Sequence, residues 1–301
     1  MTDHDNVTET GQETRGLLYG ALGVLAFSFT LPATRAAVTD LDPWVVGLGR
    51  AVVAATLAAV VLVARRERPL PPRRIWGRLT IVAFGVVVGF PLFTALALRD
   101  LGAAHSAVIV AVLPAATAIA AVARAGERPS GRFWLTAVGG LAAALAFATA
   151  QGAVGLSLAD GFVLLAVASA ALGYAEGGAL AREYGGWRVI CWALIISAPV
   201  LAPIVAVHAV TSGLSAGFEA WVGFGYVAVF SMLLGFFAWY HGLALGGVAR
   251  VGQIQLAQPL LTLAGSAAFL GEQIAPYTIL SALAILTCVG AQIPRSGCRT
   301  R

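Results

Sequence analysis

The sequence contains no lysine, and all 19 of its basic residues are arginine. A chain without lysine has no Walker A phosphate-loop lysine and no Schiff-base nucleophile. ATP-driven pumping by this chain alone is therefore not expected. Charge of either sign is scarce: 11% of the 301 residues carry one, against roughly 25% in an ordinary soluble domain. That scarcity excludes a soluble enzyme, a disordered tail and a nucleic-acid reader. Cysteine is scarce too. Cys191, Cys288 and Cys298 are odd in number and lack metal-like spacing, which predicts no disulfide framework, no metal site and no cofactor. The terminal Cys-Arg-Thr-Arg lacks the aliphatic residues of a prenylation box.

Apolar side chains fill the space that charge leaves. They make up 59% of the chain, and 35 glycines come on top. A core of about 300 residues has too little interior to hide this much apolar surface, so the solvent is lipid. Runs such as 51–63 and 81–88 do not alternate in polarity, which excludes a lipid-facing barrel. The expected fold is an all-α integral membrane protein with ten transmembrane helices. The spans fall near 16–34, 43–63, 76–98, 103–123, 131–150, 158–180, 189–210, 220–243, 247–270 and 276–293. Pro43, Pro129 and Pro276 mark helix starts, and Trp44, Trp76, Trp134, Trp187 and Trp221 sit near span ends. The acidic segment 1–15 lacks the basic start of a cleaved signal peptide, so the first apolar run is expected to be retained.

Orientation follows from the arginines. With the N-terminus inside, fifteen arginines fall in cytoplasmic segments and only Arg35 and Arg99 fall outside. That bias over short loops predicts both termini in the cytoplasm, with an acidic tail at 1–15 and a basic tail at 294–301. The expected location is the cell (plasma or inner) membrane.

The two halves also resemble each other. An offset of 145 residues carries Pro114 to Pro259 and Glu127 to Glu272. The same offset pairs Leu98 with Leu243, Gly102 with Gly247, Thr117 with Thr262 and Gly16 with Gly161. The chain therefore reads as two five-helix repeats, 16–150 and 161–293. Five is odd, so the second copy is inverted relative to the first. Arg124, Arg128 and Arg132 surround Glu127, whereas Phe269, Gln273 and Tyr277 stand around Glu272, as opposite faces require. Inverted repeats are the usual build of secondary transporters, with the substrate site near midplane between the repeats.

Each half has a Leu-Gly turn, a helix with a central proline, a Gly-Glu at the helix end (Gly126-Glu127 and Gly271-Glu272) and then a fifth helix. This pattern resembles the repeat of the EamA-type drug/metabolite transporter (DMT) superfamily over nearly the whole chain. The resemblance implies a permease for metabolite efflux or exchange by alternating access, with amino acids or related compounds among the expected solutes. The first helix departs from the common pattern, with Ala26-Phe27-Ser28 followed by Pro32 and Arg35 where the family has Trp-Gly and then a lysine.

Arg78, Arg132 and Asp160 fall in the first three residues of their expected spans; Arg50, Glu176 and Arg250 lie deeper. A charge there costs several kcal/mol and needs a reason. Arg50 lies about 10 Å into the second span at 1.5 Å per residue. It either faces a cavity and attracts a carboxylate, or snorkels outward or pairs with Asp42. Glu176 either carries a proton or gates, with Arg182 or Arg250 as its partner and His241 nearby. Gln255 and Gln258 share a face beside Pro259 and are candidate substrate contacts, or helix–helix glue. Pro114 is expected to kink the fourth span at matching depth. Tyr174, Trp239 and Tyr240 would form an amphipathic wall, or simply pack. The glycine pairs 85/89 and 242/246 read as close helix contacts. The expected partners are a small-molecule substrate and the lipid bilayer, without nucleic acid; a homodimer is allowed. The competing reading is an intramembrane enzyme modifying a lipid or isoprenoid. It would need clustered acids, and Asp40, Asp42, Asp100 and Asp160 do not cluster in sequence.

Overall fold

The computed structural model describes residues 3–125, 134–135, 138–139, 142–143, 157–246 and 251–290. The expected fifth span lies largely outside these, and Glu127 and Arg250 lie outside them altogether. The described residues form helices joined by short irregular connections and contain no strand. The first crossing is made of α1 (Asp3–Ser28) and α2 (Thr30–Asp40), and the second of α3 (Pro43–Ala64). The third joins α4 (Trp76–Val82) to α5 (Phe90–Asp100), and the fourth joins α6 (Ala103–Val110) to α7 (Leu113–Ala125). The second half contains α8 (Leu158–Tyr184), α9 (Gly186–Ser212), α10 (Phe218–Tyr226), α11 (Phe236–Gly246), α12 (Gln258–Leu270) and α13 (Pro276–Gly290). Among the described residues, seven helical stretches are long and apolar enough to cross a membrane; Ile254–Leu270 and Pro276–Thr287 are shorter apolar helices.

Chemistry at the helix ends follows the sequence. The Asp42 carboxylate caps α3 by accepting the Trp44 amide at 2.9 Å, and Pro43 occupies the first turn, where its missing N–H costs nothing. Ser157 and Asp160 cap α8 reciprocally.

The halves interlock. From the first half, α1 packs on α11 of the second and α2 on α10; the 145-residue offset turns this into α8 packing on α5 and α4, which the structure also shows. The offset partners α3 and α9 pack on each other. Glycines permit these crossings. A Cβ on Gly16 would stand 2.7 Å from the Gly246 Cα, and one on Gly85 would stand 2.7 Å from the Gly173 Cα. Backbone meets backbone at both places, as small residues allow when lipid supplies no hydrophobic drive.

Backbone irregularities recur in both halves. The residues 83–89 and 227–235 are wound as π-helix, and the offset superposes the two segments. Helical bonding also changes just before each proline. The fourth crossing is interrupted at 111–112 before Pro114, and a 3₁₀ turn at Gly252–Ala257 precedes Pro259. Both prolines then sit in the first turn of the following helix, where they displace no helical bond.

Candidate functional site

Five of these irregular or charged places converge on one small cavity of about 10 Å³. That is room for about one water. Phe27 and Thr30 reach it from the break between α1 and α2. Val86 and Ser231 reach it from the two π-helical segments, and the repeat offset makes them partners. Arg50 comes from α3, Tyr174 from α8 and Gln258 from the start of α12. Phe90, Met232 and Phe236 complete the wall.

The break at Phe29 is chemically supported. Carbonyl oxygens exposed at membrane depth need internal donors. The Thr262 hydroxyl donates to the Ser28 carbonyl at 2.8 Å, and the Tyr226 hydroxyl donates to the Ala26 carbonyl at 3.0 Å. The Thr30 and Ser231 hydroxyls bond each other at 2.8 Å, joining the two halves across the cavity.

Arg50 is only 1% exposed. Its Nε and Nη1 are buried without a hydrogen-bond partner among the described residues. Among the described residues, no acidic side chain lines the cavity beside it. Asp42, the sequence's alternative partner, caps α3 and lies 3.3 Å from His208 Nδ1 instead. Snorkelling and Asp42 pairing are therefore not what the geometry shows. Gln258 is also buried, and its Oε1 has no hydrogen-bond partner among the described residues. The cavity thus offers unpaired guanidinium donors, an unpaired amide acceptor and an aromatic wall. An arginine fork matches a carboxylate, and a neutral amide oxygen can accept from an ammonium group.

The chain matches the EamA-like transporter family over residues 14–149 and again over 157–290. It belongs to that family. It is 42% identical over 278 residues to a Bacillus subtilis (strain 168) protein named uncharacterized transporter YdeK, covering 92% of this chain and 96% of that one. A solved crystal structure aligns over 92% of this chain and 97% of its own, with a TM-score of 0.63 at 18% identity, a likeness of fold. This EamA-family chain, of the DMT superfamily, is a multi-pass membrane transporter.

Within this EamA chain, Arg50, Tyr174 and Gln258 come together. The other candidates that lie among the described residues do not line the cavity. Trp239 is buried behind it against Phe27 and Tyr174, with ring centroids 6.2 and 5.8 Å away. Tyr240 is buried and donates to the Gly173 carbonyl at 3.1 Å. Gln255 is buried with Nε2 unpartnered, in the 3₁₀ turn rather than on the helix that begins at Gln258.

The gating group is also rearranged. Glu176, 1% exposed, accepts from Arg78 Nε rather than pairing with Arg182, which is exposed. The reason is helix packing: α4 lies along α8, bringing Arg78 onto it. Arg78 also lies 3.8 Å from Glu183, and Arg74 Nη2 lies 3.5 Å from the same carboxylate. His241 is exposed and packs edge-on against Tyr19, with ring centroids 4.6 Å apart.

At the other end of the bundle, Glu272 accepts the amide N–H groups of Ala103 and Ala104, and Asp160 Oδ1 lies 2.7 Å from His105 Nε2. Sequence reading missed Phe27, Thr30, Val86, Phe90, Ser231, Met232 and Phe236. Thr30 and Ser231 carried a signal, as hydroxyls inside apolar runs.

Proposed function

We propose that this transporter exports small zwitterionic metabolites of the amino-acid kind across the plasma membrane by alternating access. The observation that carries the reading is Arg50, a buried cation without an acidic partner among the described residues, at a cavity between the halves. A charge kept in that place needs a counter-ion, and a substrate carboxylate supplies one. Gln258 Oε1 is the acceptor for the ammonium end, and Phe27, Tyr174 and Phe236 receive the apolar part. The architecture in this reading is ten spans in two inverted five-helix repeats, with the run at 131–150 as the fifth and both termini in the cytoplasm. At the arginine-rich end, Arg78 with Glu176 and Glu183 joins the halves; at the other end, Glu272 and Asp160 join them. Opening one set while the other holds gives access to one side at a time. The cavity as it stands is too small for an amino acid, so its walls part during the cycle.

Counterflow in proteoliposomes tests this. A labelled apolar amino acid should exchange, and the amine lacking its carboxylate should not. Equal exchange of both would remove the carboxylate from the reading. No solute movement together with accumulation of a modified lipid would replace transport with intramembrane catalysis.

A further inference from the structure

A second cavity, of about 510 Å³, opens at the arginine-rich end of the bundle. One wall is the loop after α3, with Arg66, Arg68 and Leu70; the other is the α8–α9 turn, with Glu183, Arg188 and Trp192. The loop is fixed in place. Trp192 Nε1 donates to the Arg68 carbonyl at 3.0 Å, Trp76 Nε1 donates to the Pro71 carbonyl at 3.2 Å, and Arg188 pairs with Glu67.

The acids in this cavity are already matched. Glu67 is held by Arg188, and Glu183 by Arg74 and Arg78. Among the described residues, Arg66 and Arg68 have no ion-pair partner, and Arg188 Nε is buried without a hydrogen-bond partner. Arg66 also stands in the left-handed region, at φ 55°. The amide of Glu67 reaches back to the Leu62 carbonyl at 2.9 Å, closing α3 in the manner that glycine ordinarily serves. An arginine there costs about 1 kcal/mol more than glycine. The position therefore carries a guanidinium at the expense of an easier turn.

Trp76 and Trp187 flank the cavity, and tryptophans collect at headgroup level. Arg188 lies over the Trp187 ring at 5.1 Å. Leu70 and Val63 beside the cavity are 55% and 73% exposed, an apolar surface suited to acyl chains.

We propose that this cavity binds the phosphate ester of an anionic phospholipid, with Arg66, Arg68 and Arg188 as its donors. The charge bias assigns this end to the cytoplasmic leaflet. The site is independent of the transported substrate, so failure of either reading leaves the other standing.

The test uses the full-length protein in detergent, titrated with phosphatidylglycerol and, separately, with phosphatidylcholine and soluble glycerol 3-phosphate. Adducts are counted by native mass spectrometry, and thermal midpoints are followed alongside. Phosphatidylglycerol should bind and raise the midpoint, whereas phosphatidylcholine should do so far less. The double variant Arg66→Gly, Arg68→Gln should bind it roughly tenfold or more weakly, at about 1 kcal/mol per arginine. Glycine suits the left-handed turn, so the variant should fold as well as the parent in phosphatidylcholine. Unchanged phosphatidylglycerol binding in the double variant would overturn the site. Equal binding of glycerol 3-phosphate would overturn the lipid and leave a soluble phosphate ester as the ligand.

Discussion

Glu272 closes the start of a helix in the opposite half of the protein: its Oε1 accepts the Ala103 amide and its Oε2 the Ala104 amide, each at 2.8 Å. The first amides of a helix have no intrahelical acceptor, and a carboxylate there also meets the positive end of the helix dipole. Both gains occur where two halves of the transporter meet.

Glu272→Gln should therefore weaken this closure. The amide side chain retains one good acceptor and loses the charge. The expected cost is about 1 kcal/mol, seen as a lower thermal midpoint of the purified protein. An unchanged midpoint would show that water serves these amides equally well.

Arg50 yields a prediction of opposite sign. Arg50→Met removes an unpaired buried charge and retains much of its volume. In the absence of substrate the midpoint should hold or rise. Counterflow of a carboxylate-bearing solute should fall by about 10-fold or more, since a hydrogen bond to a charged group contributes about 1.5–3 kcal/mol. Wild-type flux in this variant would place the carboxylate elsewhere.

The Arg78–Glu176 pair should respond asymmetrically. Glu176 is 1% exposed, while Arg78 is 36% exposed and can turn toward water. Arg78→Gln leaves a buried carboxylate without that guanidinium, whereas Glu176→Gln leaves an arginine that can be solvated. The first should lower the midpoint more than the second, by about 1–2 kcal/mol after allowance for Arg78's exposure. Equal losses would mean that the pair contributes as a simple surface bridge.

The sequence carried some of this plainly and hid the rest. Long apolar runs report burial in lipid directly, and the offset between Pro114–Glu127 and Pro259–Glu272 exposed the repeat without any structure. Arg50 and Glu176 stood out because charge within a span is costly. Their surroundings did not stand out. Arg78 lies 98 residues from Glu176, and only the packing of α4 on α8 joins them. The break at Phe29 has no glycine or proline at that residue to announce it; side chains from α10 and α12 satisfy it from more than 190 residues away. The π-helical segments differ from α-helix by hydrogen-bond register alone, to which a hydropathy pattern is blind. That is why Val86 was missed.

Those two segments have a mechanical consequence. A π-wound stretch holds surplus residues relative to α winding, and each α-helical residue turns the chain by about 100°. Shifting the surplus along either crossing would rotate the stretch it passes and turn Val86 or Ser231 off the cavity wall, with no helix end displaced. Each half therefore stores a rotation beside the cavity, and the two stores sit at equivalent places in the repeat.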